Sequence, residues 1–563
     1  MTIMTPALKK ACGGIAAALL GIFAAKTLLP SFVFDPADLG WLLHNRDPSQ
    51  AFLGQVSFLN QPWSFPPGLN TLYNSPFGTS IVYTDSIPLW SLLLKAFHAN
   101  PGQQYFGFWL LLCFALNGLC SFLAFSKLNR ETISSLGLSA FAILSPFLLW
   151  RFHEGTFHLT LLAHFPVWLA FALLLPLRAP GTPLTKRETV LWSSLFVLGL
   201  GTHFYLFLMQ AFLFLIRISE FRGKQIRENL SSFLITGGVI VLGAFTFGYF
   251  AIPLQNTIAG GFGRLSMNLL APFLNFHLGL FLPSMGPVDP DQREGYCYLG
   301  LGLLILFILT LVMRKSELRE KWKQVLDTRP RAIYLFAIWI TLCLSMRLWI
   351  LDLRLPAILT YVIYCSALAF LSIRLFRMRW YQGFLLAVLI EGSLLAVSGL
   401  FRSSGRLSWL LFDLLLVSLA TLRTQWRWVL PMLLIQCMDL NPLLQEIYTR
   451  ISQTQAIQGR CEINESVMAK AERMKISGVD LEPLTDCVFR FFLDRKPVGL
   501  LYTARDTVST DKASLIYKEE VLQNQLTPHS LYIFPDEKMT TDKIPQGLEN
   551  GPLSGKIRWM SAP

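Results

Sequence analysis

Thirteen stretches of this chain are too apolar to sit in water, and their lengths match a lipid bilayer. A helical crossing needs about 20 predominantly apolar residues, fewer where the helix is shielded by protein. The candidate passes fall at 11–29, 105–125, 133–149, 157–175, 190–200, 203–216, 233–250, 298–312, 333–350, 357–373, 384–400, 407–419 and 428–438. The fifth and sixth are short, and Gly199 and Gly201 are expected to break one run into two. Only 15% of the residues are charged, against about a quarter in soluble proteins, so most of the chain is expected in lipid. The net charge of +13 does not point to nucleic acid, because Lys and Arg fall in small groups between apolar runs and make no continuous basic face.

Charge parity tests the short pair, since Lys and Arg collect in cytoplasmic loops. With both passes counted, alternate connections hold 23 Lys and Arg, seven of them between Arg314 and Arg331, while the outer connections hold 10. Merging the pair would translocate the seven-charge loop, so two passes are favoured. The N-terminus is then cytoplasmic, with Lys9 and Lys10 ahead of a first run read as a retained anchor. Residues 1–440 form the transmembrane domain, with long outer loops at 30–104 and 251–297, and 441–563 lie outside.

The tail has 15 basic and 16 acidic residues and no long apolar run, which reads as a small soluble α/β domain. Strands are expected at 498–503 and 530–534 and helices at 467–475 and 515–523. Cys461 and Cys487 face an oxidising compartment, where a disulfide and two free thiols are both open. The nine cysteines show no zinc-site spacing.

The first long outer loop is rich in Trp, Phe and Pro, which argues against disorder. Asp35, Asp38, Asp47 and Asp85 lie among these aromatics, and 86–97 reads as an amphipathic interfacial helix. An acid at a headgroup layer is desolvated, which is how functional acids are tuned. The plainer alternative is helix capping, since Asp47 precedes Pro48 and Asp85 precedes Ser86-Ile87-Pro88. Arg151 opens RFHEGTFH, which ends in His158; His203 and Tyr205 lie in THFY; Arg402 and Arg406 lie in FRSSGRLSW. Arginines at one depth on several helices suit a phosphate, against the plainer reading that each snorkels to the interface. Glu391 and Asp413 lie within passes and need partners, for which Arg residues are candidates. The second long loop carries GGFGRLSMNLLAPFLN and REGYCYLGLG, in which Asn268, Asn275 and Glu294 suit a carbohydrate or a lid.

Taken in order, DPSQAFLG from Asp47, PWSFPPG, GTSIVYTDSIP, Arg151 with His158, HFY at 203–205, SMNLLAPFLN, EGYCYLGLG, FRSSGRLSW and YTAR at 502–505 cover most of the chain. This pattern resembles the GT-C class of integral-membrane glycosyltransferases, in particular a bacterial group within it. The resemblance implies a polytopic α-helical membrane protein with about 13 transmembrane helices and a small C-terminal extracytoplasmic α/β domain, in a bacterial cytoplasmic membrane. It implies inverting transfer from a polyprenyl-phosphate or polyprenyl-pyrophosphate sugar to an acceptor glycan or lipid, with an acid of the first outer loop as base. That role falls on Asp47, with Asp85 second. The paired-acid motif of the class is absent, because Pro36 and Ala37 separate Asp35 from Asp38. Arg402, Arg406, Arg151 and His203 are expected at the donor phosphate, and Tyr205, His158, Asn268 and Glu294 on the acceptor or lid side. No nucleotide or soluble cofactor is required; a divalent metal, Mg or Mn, stays an open requirement. The competing readings are a transporter or flippase of lipid-linked sugars, a polysaccharide polymerase or ligase, and a receptor with a binding tail. No internal repeat favours the transporter.

Overall fold

The computed structural model describes residues 5–562 other than 130, 154–156, 253–264, 283–289, 345–348, 351–352, 398–402, 455–460, 477–483, 500–515, 518, 521–522, 524, 536–547 and 554–556. Within these, six helical stretches are long and apolar enough to cross a membrane: Ala7–Leu28, Phe106–Phe125, Thr132–Phe152, Leu230–Phe247, Ala357–Phe376 and Ser404–Thr421. Four shorter apolar helices accompany them: Phe165–Leu174, Phe204–Ile218, Leu301–Met313 and Pro330–Leu344. The chain is thus a helical protein able to span a membrane.

Backbones approach closely where glycine allows it, the usual device when lipid offers no hydrophobic drive between helices. A Cβ on Gly21 would lie 2.1 Å from the carbonyl oxygen of Phe114, and one on Gly118 would lie 2.2 Å from that of Ala17. The first helix and the Phe106–Phe125 helix are therefore in backbone contact. The expected break between the short fifth and sixth passes occurs at His203, not at the glycines. Lys186–Thr202 stays helical through Gly199 and Gly201, and extended His203 (φ −163°) caps Phe204–Ile218 by accepting from the Tyr205 N–H at 3.1 Å. Gly199 serves packing, since a Cβ there would meet the Gln210 side chain at 2.1 Å.

In the first outer loop, a helix at Arg46–Asn60 carries Asp47 in its first turn. Its far end is closed by Lys95, whose Nζ donates to the carbonyls of Phe58 (2.6 Å), Gln61 (2.9 Å) and Pro62 (3.3 Å). The expected interfacial helix is Pro88–Ala96, preceded by Ile87 at φ +53°. It buries Ser91 and Leu94 and exposes Leu93, with Phe97 exposed beyond its end.

Among the described residues, the tail folds on a mixed five-stranded sheet in the order Val498–Gly499, Arg473–Ile476, Ser530–Pro535, Ile557–Ser561, Glu549–Leu553. The expected helix over 467–475 is corrected: helix Glu465–Lys470 ends and Arg473–Ile476 is a strand, its Met474, Lys475 and Ile476 buried. The alternation of charge with apolar residues there fits either period. The strand at 530–534 is present, and the described part of 498–503 is a strand. Of 515–523, the described residues 516–517 and 519–520 are helical. Cys461 and Cys487 are joined by a disulfide.

The sheet does not stop at its own edge. Tyr73 of the first outer loop bridges Val498 in parallel, the Val498 N–H donates to Leu72 and the Ser75 N–H donates to Val498, both at 3.0 Å. The loop thus covers an edge that would otherwise be open to foreign strands.

Candidate functional site

The C-terminal end of the Thr132–Phe152 stretch is not a plain helix. Pro146 restarts it after Ser145, and the chain tightens into a 3-10 turn, Trp150–Phe152, which turns Arg151 inward until its side chain is 0% exposed. Burying a guanidinium requires a counter-charge. Glu294 supplies it across 143 residues of sequence, accepting from Arg151 Nη1 at 2.9 Å. The same carboxylate holds Arg406 in a fork, with Nε to Oε2 at 2.8 Å and Nη2 to Oε1 at 3.0 Å. This is the bidentate geometry that makes Arg–carboxylate pairs specific.

Three segments must cross in backbone contact for this to happen. A Cβ on Gly295 would lie 2.2 Å from the carbonyl oxygen of Ser266, and one on Gly405 would lie 2.6 Å from the Cα of Gly295. The glycines of EGYCY and SGRLS, each adjoining a charged residue of the cluster, are there because no side chain fits. The Gly405 N–H closes the crossing by donating to Leu265 at 3.0 Å.

Around this hub, Arg406 Nη2 lies 2.9 Å from His158 Nε2, which in turn lies 3.6 Å from Asp47 Oδ2. Arg406 also stacks its guanidinium over Tyr205 at 5.3 Å, and the Tyr205 hydroxyl accepts from the Ser403 N–H at 2.7 Å. His203 stacks on Tyr205 with ring centroids 5.4 Å apart. Arg151 lies over Trp409 at 5.2 Å. Burial alone would raise the Glu294 carboxyl, but the charges of Arg406 and Arg151 outweigh it and hold the group well below the usual carboxylate range.

Of the residues singled out in the sequence, the structure brings together Asp47, Arg151, His158, Glu294, Arg406, His203 and Tyr205. Asp85 is near enough to act electrostatically on Arg406. It has φ +55° and is not the residue at the cap position of the following helix, which is Ile87. Asp47 is likewise not the cap of its helix; Asn45 occupies that position. Asn268 lies beside the crossing and accepts from the Leu270 N–H at 3.0 Å, and Asn275 makes a similar turn with His277. Asp35 and Asp38 also accept from nearby backbone, from Ala37 and Gly40. Arg402 and YTAR at 502–505 lie outside the described residues. Asp413 is not paired with Arg: His164 holds it at 2.7 Å, both side chains fully buried. Glu391 is buried, at 7% exposure.

Glu294 as the centre of the cluster, Trp409 beneath Arg151 and Ser403 behind Tyr205 were not foreseen. The lone signal for Glu294 was an acid flanked by glycine in an aromatic-rich loop. Among the described residues, no group of three or more His, Cys, Asp or Glu side chains is arranged to hold a metal ion. Glu294, the most central carboxylate, is already committed to two arginines.

No curated protein matches the chain. Residues 18–441, which carry every member of this cluster, match the family described as a domain of unknown function (DUF6311), and the chain belongs to that family.

Proposed function

We propose that this protein is an inverting membrane glycosyltransferase that moves a sugar from a polyprenyl-phosphate or polyprenyl-pyrophosphate donor to an extracytoplasmic glycan or lipid. The observation that carries the reading is the meeting of Asp47, from the first outer loop, with His158, Arg151, Arg406 and Glu294, from three other parts of the chain. Glu294 and Asp47, two of the carboxylates near Arg406, have different surroundings. Glu294 is locked between guanidinium groups and is a poor base, whereas Asp47 is one-quarter exposed and lies beside an imidazole at 3.6 Å. Asp47 is the base in this scheme. It takes the proton of an acceptor hydroxyl as that oxygen bonds to the anomeric carbon. The carbon–oxygen bond to the lipid phosphate breaks, and the phosphate leaves with the electron pair. Arg406 and Arg151 stabilise the charge gathering on it, the largest contribution expected in an enclosed site. Tyr205 stacks on Arg406 and His203 stacks on Tyr205, which fixes that side of the cluster, and no step is routed through a metal.

The thirteen-pass topology belongs to the same proposal, with a cytoplasmic N-terminus and an outer tail in a bacterial inner membrane. It is supported by the Ser404–Thr421 helix, which begins at the cluster and ends where Lys321 of the basic 314–331 segment donates to the Thr421 carbonyl at 2.7 Å. At about 1.5 Å per residue, Arg406 and that basic segment are separated by about 22 Å of helix, most of the roughly 30 Å of a hydrocarbon core, which supports their lying on opposite sides.

The test is reconstitution with synthetic polyprenyl-phosphate sugars. Asp47→Asn is expected to abolish transfer while leaving expression and thermal stability in detergent unchanged. Full activity in that variant removes Asp47 as the base.

A further inference from the structure

The tail touches the candidate site from two sides, and its disulfide links Cys461, seven residues beyond the first contact helix, to Cys487 on the second. On one side, helix Asn441–Thr454 reaches the segment beside Arg151: Arg450 Nη1 donates to the Phe152 carbonyl at 3.0 Å, and Glu446 pairs with His153 at 3.0 Å. Cys461 follows that helix in sequence and is partly buried in the same core. On the other side, helix Thr485–Leu493 lies against the helix that carries Asp47. Phe489 packs on Phe52 with ring centroids 5.6 Å apart, Phe492 stacks on Tyr73 at 5.8 Å, and Asn60 Nδ2 donates to the Phe492 carbonyl at 2.7 Å. Cys487 lies on that second helix, 1% exposed, and bonds to Cys461.

We infer that the Cys461–Cys487 disulfide is a strut that sets the position of the Asp47 helix relative to Arg151, which makes both cysteines positioning residues for the reaction. The inference rests on the proposed role of Asp47. Its physical basis is leverage. Asp47 and Arg151 come from different elements, linked at the cluster through His158, which lies 3.6 Å from Asp47, and a misplacement of about 1 Å between reacting groups costs on the order of 100-fold in rate. A covalent tie holds the Cα of Cys461, packed on the core that the first helix shares, 4.9 Å from that of Cys487 on the second helix, which limits such a slip. Its opening is a two-electron reduction: the sulfur–sulfur bond takes two electrons and two protons to give two thiols, and a dithiol reductant is oxidised to its own disulfide.

The experiment treats the folded, full-length protein in detergent or liposomes with dithiothreitol and measures two things. Hydrogen exchange is followed in peptides covering 46–60 and 150–153, and transfer kinetics are followed with a polyprenyl-phosphate sugar. The expected result is faster exchange in 46–60, with kcat lowered about 10- to 100-fold and KM for the lipid donor unmoved. Reoxidation with oxidised glutathione is expected to restore both, and the double variant Cys461→Ser, Cys487→Ser is expected to match the reduced protein. Unchanged exchange in 46–60 after confirmed reduction overturns the strut, as does altered exchange with kcat intact. If the oxidised protein shows no transfer at all, the glycosyltransferase reading falls, and the exchange measurement alone then decides whether the strut exists.

Discussion

One carboxylate, Glu294, is the counter-charge of two buried guanidinium groups, and among the described residues Arg151 Nε and Nη2 have no other hydrogen-bond partner. Removing one partner of a buried ion pair leaves an uncompensated charge, which costs about 3–5 kcal/mol. Glu294→Gln keeps the shape and removes the charge, and a drop of that size in unfolding free energy is expected by thermal or denaturant unfolding in detergent. The pH dependence follows from the same geometry. The folded Glu294 carboxyl lies well below its ordinary 4.5 because Arg406 and Arg151 outweigh its burial. Below 4.5 the unfolded chain takes up a proton that the folded chain refuses, so stability is whole above that pH and falls as pH drops toward the folded value. Wild type is expected to lose stability progressively below pH 4.5, and Glu294→Gln is expected to start lower at neutral pH and lose less across that window. A variant whose acid profile parallels wild type would show that the carboxylate is not the charge in question. None of this was legible beforehand: the partners of Glu294 lie 143 and 112 residues away, and nothing local to REGYCY states that they exist. What could be read was residue type and depth, which was enough to single out Asp47, Arg151, His158 and Arg406 and not enough to say which acid each Arg meets.

Elements that need only local chemistry to form were the readable ones, and those that need a distant partner were not. The long apolar runs declare themselves by length, and Pro88 marks the start of the interfacial helix. The tail segment around Arg473 does not, because a short stretch of mixed charge and apolar residues satisfies both periods until a sheet neighbour such as Ser530–Pro535 decides it. The glycine crossing is a third case, with residues visible in the sequence but a purpose visible only in three dimensions. Gly295→Ala places a methyl 2.2 Å from a backbone carbonyl, which cannot swing away as a side-chain tip can. Overpacking of this kind costs about 1–3 kcal/mol, and because Gly295 adjoins Glu294 the displacement is transmitted to both arginines. Lower stability together with lost transfer is expected for Gly295→Ala, whereas Gly237→Ala, where a Cβ meets nothing within 4 Å, is expected to behave as wild type. At the far end of the Asp47 helix, Lys95→Met deletes three hydrogen bonds to carbonyls and leaves those of Phe58 and Gln61 buried. A loss of about 1–3 kcal/mol, with faster hydrogen exchange at 57–62, is the expected readout.

At the scale of the whole molecule, two kinds of surface divide the work. The cluster and the tail share one end of the Ser404–Thr421 helix, while the basic Lys315–Thr328 helix lies against the other end through Lys321 and Thr421. The tail is built onto the first outer loop by strand pairing and by the Phe52 and Tyr73 contacts, so loop and tail must lie on the same side of any membrane. In the proposed topology the positive-inside rule puts that side outside, because the segment with the densest Lys and Arg is expected to stay with the cytoplasm. Site-directed labelling tests both statements at once. In a background with Cys12 replaced by Ser, a cysteine at Asp494, whose side chain is 63% exposed, is expected to react with an impermeant maleimide in intact spheroplasts. A cysteine at Glu320 in the basic helix is expected to react only after the membrane is permeabilised. The reverse pattern would turn the molecule over and place Asp47 and Arg406 on the cytoplasmic face, where a nucleotide-activated donor becomes the natural substrate. Labelling of both positions in intact spheroplasts would mean that the intervening passes do not cross in the order proposed, and the lipid-linked donor would lose its topological support.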